Sequence, residues 1–280
     1  MLTILELLGK TTTYFESRGV PNAKLDAQIL LAEVLGCKRL ELFLRFEDPV
    51  VSPQLDRYRE FVRRRAKREP LQHILGKTEF FGIVVKSDAR ALVPRPETEY
   101  LCELLTERFF ADASAKLSIL ELGIGSGAVS LALKKHFENA SVKGVDISPD
   151  ALSLACENAQ SLGLDAEFLL SDWFENLRGE KFDLIVANPP YLSREELECA
   201  QPEVREFDPI SALVSPEDGI ADLRKILSNA PEFLNDGGLV ACECGVAHPD
   251  MLAAEFAGAY SELATAADMS NRPRYVFCRK

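Results

Sequence analysis

The chain of 280 residues is 47% hydrophobic and 27% charged, an ordinary globular composition long enough for one large domain beside a smaller one. Its formal net charge of -12 repels phosphate backbones, which argues against tight, sequence-independent nucleic-acid binding unless basic residues are segregated. No apolar run reaches the roughly 18 residues of a membrane span, MLTILELLGK lacks a basic start, and the seven cysteines are odd in number with no CxxC, so a cytoplasmic protein with reduced thiols and no metal is expected.

Residues 1 to 75 read as a small helical domain. Gly19 and Pro21 end a first helix, and Gly36 ends a second with apolar positions Leu25, Ile29, Leu30 and Val34. Ser52-Pro53 has the N-cap and N1 signature of a third, running to Glu69 before Pro70. This third helix is basic, carrying Arg57, Arg59, Arg63, Arg64, Arg65, Lys67 and Arg68 opposite Leu55, Tyr58, Val62 and Ala66. One reading is a solvated face; the other is a docking surface for an RNA-like or acidic partner. Residues 76 to 96 form a connector. In it Thr78, Phe80, Phe81, Ile83, Val84 and Val85 around Gly82 predict a hairpin, and Pro94-Arg95-Pro96 an extended crossing.

Residues 97 to 280 alternate between helix and strand. A helix from Glu97 to about Phe110 precedes strands near 118 to 122, 141 to 146, 166 to 170, 182 to 187, 238 to 243 and 274 to 279. Helices fall near 127 to 137 and 149 to 162, the second opened by Ser148-Pro149 and stopped by Gly163. The pattern predicts an α/β fold with a doubly wound, mostly parallel sheet.

Gly123-Ile124-Gly125-Ser126-Gly127 turns the first of these strands into a helix, where glycine lets the backbone turn tightly and approach a ligand closely. The second strand ends in Asp146, an acid placed to accept hydrogen bonds from ribose hydroxyls. Loop and acid together point to an adenosine-containing cofactor. Glu121 just before the loop can bond an ammonium group or hold the loop, and would repel a pyrophosphate, which favours S-adenosylmethionine over NAD. Asp172 offers an acceptor for an adenine amino group and Trp173, the sole tryptophan, an indole surface or ordinary packing.

Asn188-Pro189-Pro190-Tyr191 follows an apolar strand, so its amide faces the crevice at the strand's carboxyl end. The prolines remove two backbone donors and stiffen a corner rich in acceptors, and Tyr191 adds a flat ring. Such a corner suits a planar, conjugated NH2 group. Glu243 either borders the cofactor or is a solvated strand-end acid, and Arg205 either pairs locally, the preferred reading, or touches the protein substrate.

The ordered series EPLQHILGKTEFFG, LVPRPETE, ELGIGSG, VDIS, SDWF and ANPPY, spread over residues 69 to 245, resembles the bacterial peptide chain release factor glutamine methyltransferases. The resemblance implies a helical N-terminal domain, a short β connector, and a Rossmann-like class I S-adenosylmethionine-dependent methyltransferase domain whose antiparallel last strand is 274 to 279. It implies that residues 123 to 127, Asp146, Trp173 and Asn188 contact S-adenosylmethionine and that Asn188 to Tyr191 hold the substrate glutamine. Asn188, Pro189 and Tyr191 are then the catalytic positions. Ile124 departs from the small hydroxyl residue usual in relatives, which removes one side-chain hydrogen bond to the cofactor. The implied reaction methylates the N5 nitrogen of a glutamine, that of the GGQ motif in release factors, with no DNA or membrane partner and action as a monomer. Glutamine methylation of a ribosomal protein and adenine-N6 methylation of nucleic acid are the alternatives.

Overall fold

The computed structural model describes residues 2–280, which form two compact units: the chain up to Gly76 with Gln201–Phe207, and Lys77–Ala200 with Asp208–Lys280. In the first, Thr3 and Glu6 cap α1 (Ile4–Ser17) reciprocally, each side chain accepting the other's backbone N–H. α2 (Ala23–Leu35) stops at left-handed Gly36. It turns Ala27, Leu30, Leu31 and Val34 inward, at helical spacing, and leaves Leu25 exposed, contrary to its expected place on the apolar stripe.

α3 (Ser52–Arg65) is shorter than its sequence predicts. Val51 holds the cap position and Ser52 is the first helical residue, while Arg68, with φ of 67°, turns the chain before α4 (Leu71–Leu75). Tyr58 is buried and Leu55, Val62 and Ala66 pack beside it, as the apolar spacing requires. Much of the helix's positive charge is matched locally: Arg59 by Asp56 (3.1 Å), Arg63 by Glu60, and Arg64 by Glu69 (2.5 Å). Arg65 is buried between Asp26 (2.7 Å) and Glu203 (2.8 Å), and Arg68 also reaches Glu203 (2.6 Å). Arg205 pairs with its neighbour Glu206 at 2.9 Å.

The second unit opens with a hairpin of β1 (Lys77–Phe80) and β2 (Ile83–Lys86), turned through Phe81 and Gly82, both at positive φ. Phe80, Ile83 and Val85 belong to this unit's core. Then come α5 (Pro96–Leu104), β3 (Ser118–Leu122), α6 (Ala128–His136), β4 (Ser141–Asp146), α7 (Pro149–Leu162), β5 (Glu167–Leu170) and β6 (Phe182–Ala187). After α8 (Arg194–Cys199) and the short α9 (Pro202–Arg205), which lies in the first unit, follow α10 (Ala221–Phe233), β7 (Leu234–Glu243), α11 (His248–Phe256), β8 (Glu262–Ala267) and β9 (Pro273–Arg279).

The seven strands lie in the order β5-β4-β3-β6-β7-β9-β8, parallel except for β9, which runs antiparallel to both neighbours. This is the class I methyltransferase sheet. Side chains alternate between its faces: Leu184 and Val186 enter the core with α5 and α6, Ile185 and Ala187 the core with α10 and α11. By the same alternation Glu121, Asn188 and Glu243 fall on the α5–α6 face. Strand order reverses between β3 and β6, and open α/β sheets bind ligands at the carboxyl ends of such a switch point.

Removing Arg65 leaves Asp26 buried and short of its hydrogen-bonded partner, so Arg65→Ala is expected to destabilise the first unit by about 3–5 kcal/mol. Hydrogen exchange of the α2 amides, measured in the full chain, reads this loss; unchanged protection would contradict it.

Candidate active site

The glycine loop sits on the carboxyl end of β3 and is tied to β4. Gly123 and Ile124 both donate to the Val145 carbonyl (2.8 and 3.1 Å). Gly125 donates to one Asp146 oxygen and Ser148 to the other, each at 2.9 Å. Asp146 therefore shapes the loop as well as facing the cavity, and burial raises its carboxyl above the ordinary value. A Cβ on Gly127 would meet that of Ala155 at 3.0 Å, and one on Gly123 would enter the space before the Trp173 ring at 3.6 Å. Ile124 is turned inward against Gly144, where a Cβ would lie only 2.5 Å from its Cγ2. Glu121 is 4% exposed and accepts from the Ser130 backbone N–H (2.7 Å) and its hydroxyl.

Facing the loop, Trp173 adopts φ of 49° and donates its indole N–H to Asp222 (3.2 Å), which also receives the Ser215 hydroxyl (2.6 Å). Asp172 is bound to Lys225 (2.8 Å). Both anchors come from α10, in a stretch where the sequence marks no element. A cavity of about 420 Å³ joins these groups, with Gly123, Ile124, Gly125, Ser126, Asp146, Asp172 and Trp173 at one end and Asn188, Pro189 and Pro190 at the other. Gly127 and Tyr191 are not among its lining residues. Gly127 packs behind the loop, and the Tyr191 ring has the Arg274 guanidinium 5.6 Å from its centre while its hydroxyl donates to Glu243 (2.9 Å).

Glu243 is 1% exposed, so it is neither a solvated acid nor a cavity wall. It accepts from Tyr191 and from the Thr98 hydroxyl (2.7 Å); Thr98 in turn accepts from Asn188 Nδ2 (2.9 Å). Burial raises the Glu243 carboxyl, opposed by these two donors and by Arg274. Burial and the neighbouring Glu243 charge raise the Tyr191 phenol. The segment around Thr98 is a set of ties: Arg95 to Asp208 (2.6 Å), Glu99 accepting the Phe81 N–H (2.8 Å), and Tyr275 donating to the Glu97 carbonyl (2.8 Å). Thr98 escaped the sequence reading, although it lies inside PRPETE.

Among the described residues neither Asn188 Oδ1 nor the Pro189 carbonyl oxygen has a hydrogen-bond partner. Two acceptors on a stiff corner are what a planar NH2 group requires.

Residues 6–76 match the family described as the PrmC N-terminal domain, and residues 113–276 the family described as a methyltransferase domain. The chain is similar to a release factor glutamine methyltransferase of Geobacter sulfurreducens, 38% identical over 98% of this chain and 95% of that one. It is similar to another of Deinococcus radiodurans, 39% identical over 100% and 99%. Among solved structures it resembles in fold a T. thermophilus 16S rRNA N2 G1207 methyltransferase in complex with AdoMet and guanosine, 20% identical with a TM-score of 0.53, covering 73% of this chain and 49% of that one.

Burial pushes Glu121 from an ordinary 4.5 up to about 8. The unfolded chain releases this proton near 4.5 while the folded chain keeps it to about 8, so stability falls as pH rises through that window. The slope is roughly 1.4 kcal/mol per pH unit. Glu121→Gln keeps the acceptor for Ser130 and should flatten this part of the profile in urea titrations of the ligand-free protein; equal slopes in parent and variant would refute it.

Proposed function

Because the chain belongs to the release factor glutamine methyltransferase family, matched over nearly its whole length, we propose that Asn188 and Pro189 hold the side-chain amide of the target glutamine. The enzyme transfers a methyl group from S-adenosylmethionine to the N5 nitrogen of a glutamine in a protein. We assign that glutamine to the GGQ motif of peptide chain release factors. This reading carries with it a cytoplasmic location and action as a monomer, and the net charge of -12 disfavours DNA as substrate.

The residues present fit the cofactor. The space kept clear by Gly123, the backbone of the loop and the cavity-facing side of Asp146 suit an adenosyl group, with Trp173 and Asp172 toward the adenine and Glu121 toward an ammonium. When bound, S-adenosylmethionine supplies an electrophilic methyl on a positively charged sulfur.

An amide nitrogen is a poor nucleophile because its lone pair is delocalised into the carbonyl. Asn188 Oδ1 and the Pro189 carbonyl, by accepting its two N–H groups, fix the direction of the nitrogen and draw electron density onto it. Pro190 keeps that corner rigid. Acceptors on the two N–H groups stabilise the positive charge that develops on the nitrogen, and the largely apolar wall favours a transition state in which that charge is dispersed. The nitrogen becomes strongly acidic as it is methylated, so its proton leaves late, to solvent water, and no strong base is needed. Tyr191 contributes from behind the wall, through Glu243, rather than as a stacking surface.

The unpartnered acceptor pair at the cavity end carries this reading. Incubation with labelled S-adenosylmethionine and, separately, release factors, ribosomal proteins and DNA, with mass-spectrometric mapping, should place the label on the release-factor glutamine; label on adenine or a ribosomal protein would overturn it. Asn188→Ala should cut turnover by roughly 10²- to 10³-fold and leave cofactor affinity within about tenfold; undiminished turnover would remove Asn188 from the mechanism.

A further inference from the structure

An asparagine amide has two ends of nearly equal size and opposite hydrogen-bonding character. Asn188 can receive an NH2 group only if Oδ1 faces the cavity. Turned over, it would set its own N–H groups against those of the substrate. Packing hardly distinguishes the two orientations, so something else must.

The hydrogen-bond chain behind Asn188 does so. Ionised Glu243 is an acceptor only, and its oxygens take the hydroxyls of Thr98 (2.7 Å) and Tyr191 (2.9 Å). Thr98 has a single hydroxyl hydrogen, and Glu243 holds it. The Thr98 oxygen then has only lone pairs to offer Asn188, which must answer with Nδ2–H, as it does at 2.9 Å. Arg274, beside the Tyr191 ring, adds a positive charge that favours the carboxylate.

We propose that Thr98 and Glu243 are positioning residues that lock the Asn188 amide with its oxygen toward the substrate, and so make the site select a glutamine amide over the isosteric glutamate carboxylate. The inference rests on Asn188 being the glutamine holder. Discrimination follows because a carboxylate brings only oxygens to the two acceptors. Such selection has chemical weight: a carboxylate is intrinsically a better nucleophile toward an activated methyl than an amide, so a tolerant site would methylate the wrong residue. Glu243 does not line the cavity and so is not placed to receive the substrate's proton.

The test is equilibrium binding of two release-factor peptides, identical except for Gln or Glu at the target position, to the full-length protein. The parent should bind the Gln peptide about 10²-fold or more tighter. Thr98→Val keeps the volume but removes the hydroxyl, and should narrow the ratio to within about tenfold; Thr98→Ser should restore it. Glu243→Gln should also narrow it, because its NH2 can donate to Thr98 and release the Thr98 hydrogen toward Asn188 Oδ1. In an Asn188→Ala background, Thr98→Val should change the ratio no further. Should Asn188→Ala itself leave the preference intact, the glutamine-holder reading fails and this inference with it. If Asn188→Ala abolishes the preference while Thr98→Val and Glu243→Gln retain it, or if Thr98→Ser is as impaired as Thr98→Val, the orienting role alone fails.

Discussion

A carboxylate buried at the end of a strand must be given donors, and around Glu243 that requirement organises the Asn188 end of the cavity. Its two oxygens take one hydroxyl from the start of α5 and one from the residue that closes the NPPY corner. Three segments far apart in sequence are drawn to one point on one face of the sheet. An unpaired charge there would cost several kcal/mol, so folding and the geometry of the corner are secured by the same contacts. The loop at the other end of the cavity follows the same logic with Asp146, whose two oxygens bind one backbone N–H in that loop and one in the turn after β4.

Local chemistry made much of this legible in advance. Strands with continuous apolar runs and helices with a Ser-Pro start or a glycine stop carry their own signals, and β3, β4, β6 and α7 lie where those signals put them. The glycine loop, Asp146 and Asn188 line one cavity, in keeping with their positions at the carboxyl ends of neighbouring strands. β8, with the sequence ELATAA and no fully buried residue, has too little hydrophobic alternation to announce itself, and α10 carries Pro231. Leu25 and the end of α3 were misplaced because spacing alone does not fix which stripe of a helix finds a partner or where a left-handed residue breaks it.

What stayed hidden in the site has a common cause. Thr98, Asp222 and Lys225 act on residues tens of positions away, and nothing in their immediate neighbours marks the partner. Glu243 looked ambiguous for the same reason, since whether a strand-end acid is solvated or enclosed is decided by the helix packed over it. Tyr191 shows the converse. Its place in the motif suggested a surface for substrate, whereas the fold uses its ring against Arg274 and its hydroxyl on Glu243.

Trp173 is the only tryptophan of the chain, it lines the cavity, and its indole N–H rests on Asp222. Indole emission responds to the polarity around the ring and to changes at that N–H. The protein thus carries a single built-in fluorophore at the glycine-loop end of its cavity, free of background from any other indole. Filling and emptying of the cavity can be followed by light alone, on unlabelled protein and without turnover, which separates occupancy from chemistry in a way that counting methyl groups does not.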